Sequence, residues 1–265
     1  MTELLIADRP AGTNSASGAD GVGRAPAVVL ENLGKRFGTG PLVLEDVSAT
    51  VHQGEFVALL GASGCGKSSL LNIISGLDTP SSGALEVPEA GAAFMFQDPS
   101  LFPWLSARGN VELALKLRGV HKAERKARAA ELLELVNLGH SVNKRPHELS
   151  GGMRQRVALA RALAQDKPLL LMDEPFGALD AITRDLLHNE LERIWKETGR
   201  TIIFVTHNVA EAVRLGQRVL LLSSRPGRVV AQWEVTEEHQ TNVSAAGELT
   251  GDITARLREE IRRHA

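Results

Sequence analysis

From residue 27 onward, apolar positions fall into short runs separated by glycine, proline and polar clusters, and the periods of those runs predict the elements. In VVLENLGKRF and LVLEDVSATV the apolar positions, Val43, Val47 and Val51 among them, return to one side, which predicts strands with one covered face. Glu55-Phe56-Val57-Ala58-Leu59-Leu60 is different. Its nearly unbroken apolar run predicts a central parallel strand covered on both faces. A glycine loop follows at once, and SSLLNIISGL then predicts a helix that stops near Gly76. Pro80-Ser81-Ser82-Gly83 reads as a turn, with ALEV and AAFMF as two further strands.

The rhythm changes between about residues 100 and 164. There KAERKARAAELLELVNL sets Leu132, Leu133, Leu135 and Val136 at helical spacing behind a charged first half, and the stretch reads as a helical insertion. Apolar strands return at LLLMDEPF and TIIFVTH, each preceded by a helix-like segment, so a β-α-β alternation and a parallel sheet are expected. RVLLLSS and RVVAQWEV predict the last strands, and a polar linker then leads to a short helix in DITARLREEIRRHA. Residues 1–26, rich in Gly, Ala, Ser and Pro, carry no period and are expected to form a disordered tail.

Composition narrows what this α/β chain can do. With a net charge of -2 over 265 residues there is no global basic field for nucleic acid or anionic lipid, so any anion site must be local. The lone Cys65 excludes an internal disulfide and a cysteine-rich zinc site and suits a reducing cytoplasm. No run approaches the ~18 apolar residues of a membrane-spanning helix, and Leu4-Leu5-Ile6 is too short for a signal-peptide core.

The local anion site is the glycine loop. Gly61, Gly66, Lys67 and Ser68 in GASGCGKSS fit G-x-x-x-x-G-K-[ST], and the flanking strand and helix are the setting in which backbone N–H groups converge on phosphate. Lys67 is placed to reach the β- and γ-phosphates and the Ser68 hydroxyl to ligate Mg²⁺. Cys65 reads as a filler, although N–H dipoles around it favour a thiolate. The strand Leu169–Met172 ends in Asp173-Glu174: Asp173 is a candidate for the metal and Glu174 for polarising the attacking water. Thr206-His207 ends another apolar strand on the same expected sheet edge.

A second glycine motif, Leu149-Ser150-Gly151-Gly152 in LSGGMRQR, has the make-up of an anion-binding helix start: a serine cap, two glycines for close approach and a helix aimed by its positive end. With it, the chain from Val28 to Val235 resembles the ATP-binding cassette family, specifically the nucleotide-binding subunits of bacterial importers. The resemblance implies a P-loop NTPase (RecA-like) core with a mostly parallel sheet, an antiparallel β subdomain and an inserted α-helical subdomain at about 100–164, within a cassette spanning 27–235. It implies that Gly61, Ala62, Ser63, Gly64, Cys65, Gly66, Lys67, Ser68 and Ser69 bind ATP, that Phe37 stacks on adenine, and that Gln97 joins the Mg²⁺ and water to the helical subdomain.

It further implies that Ser150, Gly151 and Gly152 close over the ATP of a second copy, head to tail, with Asp180 crossing between the copies and Glu174, His207 and Gln97 serving catalysis. Position 153 is Met where glutamine is commonest in the family. Leu101, Phe102 and Trp104 are expected to form a docking patch for an integral membrane permease, itself served by a solute-binding protein. That arrangement makes the chain peripheral on the cytoplasmic face. FGALDAITRDLLHNELERIWKETG and THNVAEAVRLGQRVLLLSSRPGRVV resemble the nitrate, sulfonate and taurine branch, most of all its aliphatic-sulfonate members. A soluble cassette acting on nucleic acid lacks its expected paired cassettes and basic stripe here, and a small-molecule P-loop kinase gives Gln97 and the LSGG segment no task.

Overall fold

A computed structural model describes residues 24–177 and 179–263, so most of the expected N-terminal tail lies outside the described residues. Two sheets form. β1 (Pro26–Arg36), β2 (Leu42–His52) and β4 (Ser82–Glu86) make an antiparallel sheet in the order β2-β1-β4. The larger sheet runs β5-β6-β7-β3-β8-β9, from β3 (Phe56–Gly61), β5 (Ala92–Met95), β6 (Leu169–Asp173), β7 (Thr201–Val205), β8 (Arg218–Leu222) and β9 (Val229–Glu234). All its pairs are parallel except β8 with β9.

The unbroken apolar runs explain why this sheet is central. β3 and β7 are buried at every position, and the alternation of their side chains feeds two separate cores. Phe56, Ala58 and Leu60 point into one, shared with the helical insertion, while Val57 and Leu59 point into the other, against the antiparallel sheet and helix α1 (Lys67–Ile74). Phe56 anchors the first core through edge contacts with Trp195 and Phe204, at 5.7 and 6.2 Å between ring centroids.

The insertion comprises α2 (Ala107–Leu117), α3 (Lys122–Leu135) and α4 (Gly151–Leu163), with two single 3₁₀ turns between α3 and α4. Buried Asn110 pins the loop before α2: its side chain accepts from Phe102 N at 2.8 Å and donates to Ser106 O at 3.0 Å. α5 (Ala181–Thr198) and α6 (Val209–Leu215) complete this side of the sheet.

The C-terminal segment departs from the expected linker and short helix. α7 (Glu237–Thr241) begins directly after β9, and α8 (Val243–Arg263) runs for 21 residues. Asn242 Oδ1 accepts from Ser244 N at 2.9 Å and so starts α8. Ala246, Leu249, Ile253 and Leu257 then form a stripe on the first core, and Trp233 Nε1 donates to Asp252 Oδ2 at 2.6 Å. Gly247, Thr250 and Gly251 dilute the apolar period of that stripe, which is why the first half of α8 reads as linker in the sequence.

Candidate nucleotide site

Register decides which residues meet at the sheet edge. Leu59 pairs with Val205 and Asp173 pairs with Val205, so the glycine loop after Gly61, the Asp173-Glu174 pair and the Thr206-His207 pair all leave the sheet at one end. Gly66 caps α1 at φ 104 with no side-chain cap, leaving the first N–H groups of the helix directed into the loop. A side chain cannot be accommodated there: a Cβ on Gly66 would stand 2.6 Å from Leu44 Cδ2, and the left-handed backbone itself favours glycine.

Lys67 is buried and folds its ammonium back onto the loop, donating to Gly61 O at 2.8 Å and Ala62 O at 3.0 Å. Cys65 is buried beside it, with Sγ 4.0 Å from Lys67 Nζ. Burial pushes the Cys65 thiol up, and the nearby Lys67 charge offsets this only in part. Desolvation therefore outweighs the dipoles that favour a thiolate, in keeping with the reading of Cys65 as a filler of the loop.

Burial likewise raises the Asp173 carboxyl, with the neighbouring Glu174 charge adding to it, while a hydrogen bond from the Ser68 hydroxyl and the Lys67 charge work against it. Asp173 and Ser68 thus present adjacent, hard oxygen donors beside the glycine loop, the donor type that suits Mg²⁺. Glu174 sits at φ 44, an unusual left-handed conformation for a non-glycine residue, held by Glu174 N donating to Val205 O at 3.0 Å and Gly177 N to Glu174 O at 3.2 Å. Its Oε2 receives Gln97 Nε2 at 3.4 Å and stands 3.3 Å from His207 Nδ1. Of the three side chains singled out in the sequence for catalysis, two therefore converge on a carboxylate oxygen of the third.

A cavity of 560 Å³ runs over this edge, lined by Phe37, Gly40, Pro41, Val43, Ser63, Gly64, Gly66, Lys67, Ser68, Ser69, Gln97, Glu174 and Arg225. Phe37 lies just beyond β1 and is 53% exposed, which excludes a core role. Lys35 Nζ is 4.8 Å from its ring centroid.

Ser150, Gly151, Gly152 and Asp180 do not line that cavity. Ser150 caps α4 by accepting from Met153 N at 3.2 Å, and Asp180 caps α5 by accepting from Thr183 N at 3.0 Å, which holds its carboxyl below the usual range. The two segments touch, since a Cβ on Gly152 would stand 2.3 Å from Thr183 Cγ2. Gly151 instead lines a separate cleft with Gln97–Leu101 and Gln155. The Met153 side chain, where glutamine is commonest, packs against the first core.

Sequence reasoning missed Arg225 and Gly227, in the β8–β9 turn. Gly227 N donates to Val43 O at 2.8 Å, Glu45 N donates to Gly227 O at 3.0 Å, and a Cβ on Gly227 would stand 2.2 Å from Cys65 O. The turn is thereby pressed onto the glycine loop and presents Arg225 to the cavity. The punctuation SSRPGR at a strand end was a signal, but only the adjacency of β8 to β3 makes it point here.

Gln155 was missed as well: buried on α4, it donates from Nε2 to Gln97 O at 3.0 Å, and Arg161 donates to Ser100 O and Pro99 O at 2.7 Å each. These bonds tie the segment after β5 to the LSGG helix. On the outer side of that segment lies a 620 Å³ groove lined by Phe94, Phe96, Phe102, Leu113 and Leu117, among others. Trp104 is 68% exposed beside Phe102, their ring centroids 5.4 Å apart. Among the described residues no helix is long and apolar enough to cross a membrane.

Comparison with known proteins follows the same outline. A family model described as ABC transporter matches residues 44–177. The taurine import ATP-binding protein TauB of Rhizobium johnstonii is 47% identical over 236 residues, covering 86% of this chain and 90% of that protein. TauB of Mesorhizobium japonicum is 48% identical, covering 79% of this chain and 84% of its own length. The bicarbonate transport ATP-binding protein CmpC of Synechococcus elongatus is 47% identical over 213 residues, which make up only 32% of that longer protein. Among solved structures, the dimeric post-hydrolysis state of the ATP-binding cassette MJ0796 bound to ADP and Pi has a TM-score of 0.70 at 34% identity, covering 79% of this chain and 99% of that one. The cbiO1 structure from Clostridium perfringens has a TM-score of 0.74 at 26% identity, covering 88% and 96%.

Proposed function

The chain belongs to the ABC transporter family as an ATP-binding, ATP-hydrolysing subunit of an importer, and from that premise we propose that two copies, closing head to tail on ATP, drive uptake of a small sulfonate through a separate membrane permease. The observation that carries this reading is the division of the anion-binding parts. The glycine loop, Gln97 and Glu174 share one cavity, whereas Ser150, Gly151, Gly152 and Asp180 lie outside it, available to a second chain.

Phe37 receives the base, and the loop N–H groups with the start of α1 receive the phosphate chain. Lys67 exchanges two neutral carbonyl acceptors for anionic phosphate oxygens, the stronger partners of a charge-assisted bond. Ser68, Asp173 and Gln97 would hold Mg²⁺, whose chemistry is to offset charge on the phosphate oxygens. Glu174 orients and deprotonates the attacking water, and His207 bonds the γ-phosphate while steadying Glu174. The partner's Ser150 helix start and glycines complete the pocket, and a higher affinity of the closed pair for ATP than for ADP supplies the switch.

The exposed Trp104 and the adjacent apolar groove support docking of a permease segment there, which puts the chain on the cytoplasmic face. For cargo, the names carried by the relatives favour taurine over the aliphatic sulfonates that the sequence motifs first suggest. Both are alkyl sulfonates, and a solute-binding protein rather than this chain selects between them.

A mixed-chain assay tests the arrangement. Ser150→Ala and Lys67→Ala chains, each inactive alone, should recover ATPase activity on mixing, because one hybrid pocket is intact. Glu174→Gln should bind ATP and accumulate as an ATP-bound pair. Mixtures that never recover activity, or wild-type turnover independent of chain concentration, would refute the paired site.

A further inference from the structure

Behind the converging Gln97, Glu174 and His207 lies a charged cluster for which the chemistry above has no task. Glu211, in the first turn of α6, is buried, at 7% exposure. Its Oε2 accepts a 2.6 Å hydrogen bond from the Thr206 hydroxyl. Its Oε1 stands 3.3 Å from Arg184 Nε and 3.7 Å from His188 Nε2, both on α5. Thr206 Oγ1 in turn accepts from Asn208 N at 3.0 Å, so the loop carrying His207 is fixed on either side of that residue. Arg184 donates from Nη2 to Leu179 O at 2.8 Å, the carbonyl next to Asp180. One carboxylate thus reaches from the residue before His207 to the residue before Asp180.

Stability alone does not account for a charge in this place. A buried ion pair gains little over well-packed apolar side chains of the same volume, because desolvating the charges offsets their attraction. The Thr206 hydrogen bond to the charged carboxylate, however, is directional and strong, and the 3.3 Å ion pair draws Arg184 to the same group, so what the carboxylate adds is a fixed placement of both. The two things it fixes belong to different pockets in the paired reading: His207 works on the nucleotide of its own chain, while Asp180, beside the Gly152–Thr183 contact, faces the other chain.

We propose that Glu211 is a positioning residue for ATP hydrolysis, which through Thr206 and Arg184 locks His207 and the Asp180 segment together, so that the hydrolytic groups of one pocket and the wall lent to the other move as one unit. The inference rests on the two-chain reading. It assigns Glu211 no contact with nucleotide, so binding should survive its loss.

Glu211→Gln tests this, since it keeps the volume and an oxygen for Thr206 while removing the charge that holds Arg184. The expected result is a fall in kcat of about tenfold with the ATP KM and directly measured ATP affinity within about twofold. Amide hydrogen exchange should rise together in residues 179–184 and 206–208. Arg184→Gln should reproduce the loss, and the double variant should be no worse than either single one, because both break the same link. Ile194→Val, a buried substitution elsewhere on α5, serves as the stability control and should keep kcat. Wild-type kcat in Glu211→Gln, faster exchange in only one of the two segments, additive losses in the double variant, or an equal kcat loss in Ile194→Val would each overturn the proposal. Concentration dependence of wild-type turnover judges the paired reading separately, whereas the exchange result on a single chain judges the link itself.

Discussion

Substituting Gly227 by alanine probes the support of the glycine loop at a residue that does not line the cavity. The added methyl would meet the Cys65 carbonyl oxygen at 2.2 Å, where real contacts do not come under 3.0 Å, so about 0.8 Å of movement is required. Gly227 cannot supply it cheaply, being bonded to Val43 and Glu45 on both of its backbone groups. Leu44 Cδ2 would stand 3.1 Å from the same methyl, so there is little room for retreat in that direction either. The glycine loop must move instead. Overpacking of this kind costs roughly 1–3 kcal/mol. If the loop recovers its binding conformation only against that cost, ATP affinity falls roughly 5- to 150-fold, taking 1.4 kcal/mol as tenfold. Equilibrium titration with ATP measures the effect, with a thermal melt in parallel to register overpacking in the free chain. ATP affinity within about twofold of wild type, together with an unchanged melt, would refute the reasoning, because the methyl would then have found room that the geometry denies it.

Further outcomes follow from other positions. Arg225→Ala should raise the ATP KM roughly 2- to 10-fold at low salt, a modest effect for an exposed cation, and the difference from wild type should shrink in 0.5 M salt (about 4 Å Debye length); equal KM values at low salt would remove Arg225 from the site. Because the folded Asp173 carboxyl titrates above its unfolded value, the unfolded chain gives up that proton first and stability is lost as pH rises through that window, so ionised Asp173 destabilises the chain at neutral pH. Asp173→Asn should therefore raise the melting temperature at pH 7 while abolishing Mg²⁺-dependent turnover, and the gain should vanish at a pH low enough to protonate Asp173; a lower melting temperature at pH 7 would contradict this. Gly247→Ala places a methyl in open space on α8 and should stabilise by about 1 kcal/mol, raising the melting temperature roughly 2–4 °C. A fall on differential scanning calorimetry would mean that α8 is not the helix described.

What could be read in the sequence was what is local in the chain. The glycine loop, the Asp173-Glu174 pair and Thr206-His207 each sit at the end of an apolar run, and a parallel sheet brings such ends to one edge whatever the strand order. Position in three dimensions was legible only so far. Arg225 and Gly227 act because β8 lies beside β3, a neighbour distant in sequence, and nothing in SSRPGR alone specifies that. Cys65 illustrates the limit in another way: its dipolar neighbours are visible in sequence, but the depth of its burial, which decides the sign of the shift, is not. The first half of α8 was hidden because helical glycines thin a stripe that tertiary packing restores. Cargo was least legible, since no motif here touches it, and the preference between sulfonates came from relatives rather than from chemistry on this chain.

Glu174 holds an uncommon backbone conformation, secured by Val205 and Gly177 within the single chain. A carboxylate already aimed in this way leaves little for closure to rearrange around it. On the two-chain reading proposed above, the tempo of the cycle would then depend on how often two chains meet and how long they remain together, quantities set by encounter and residence and open to tuning by a membrane partner that holds the pair in proximity.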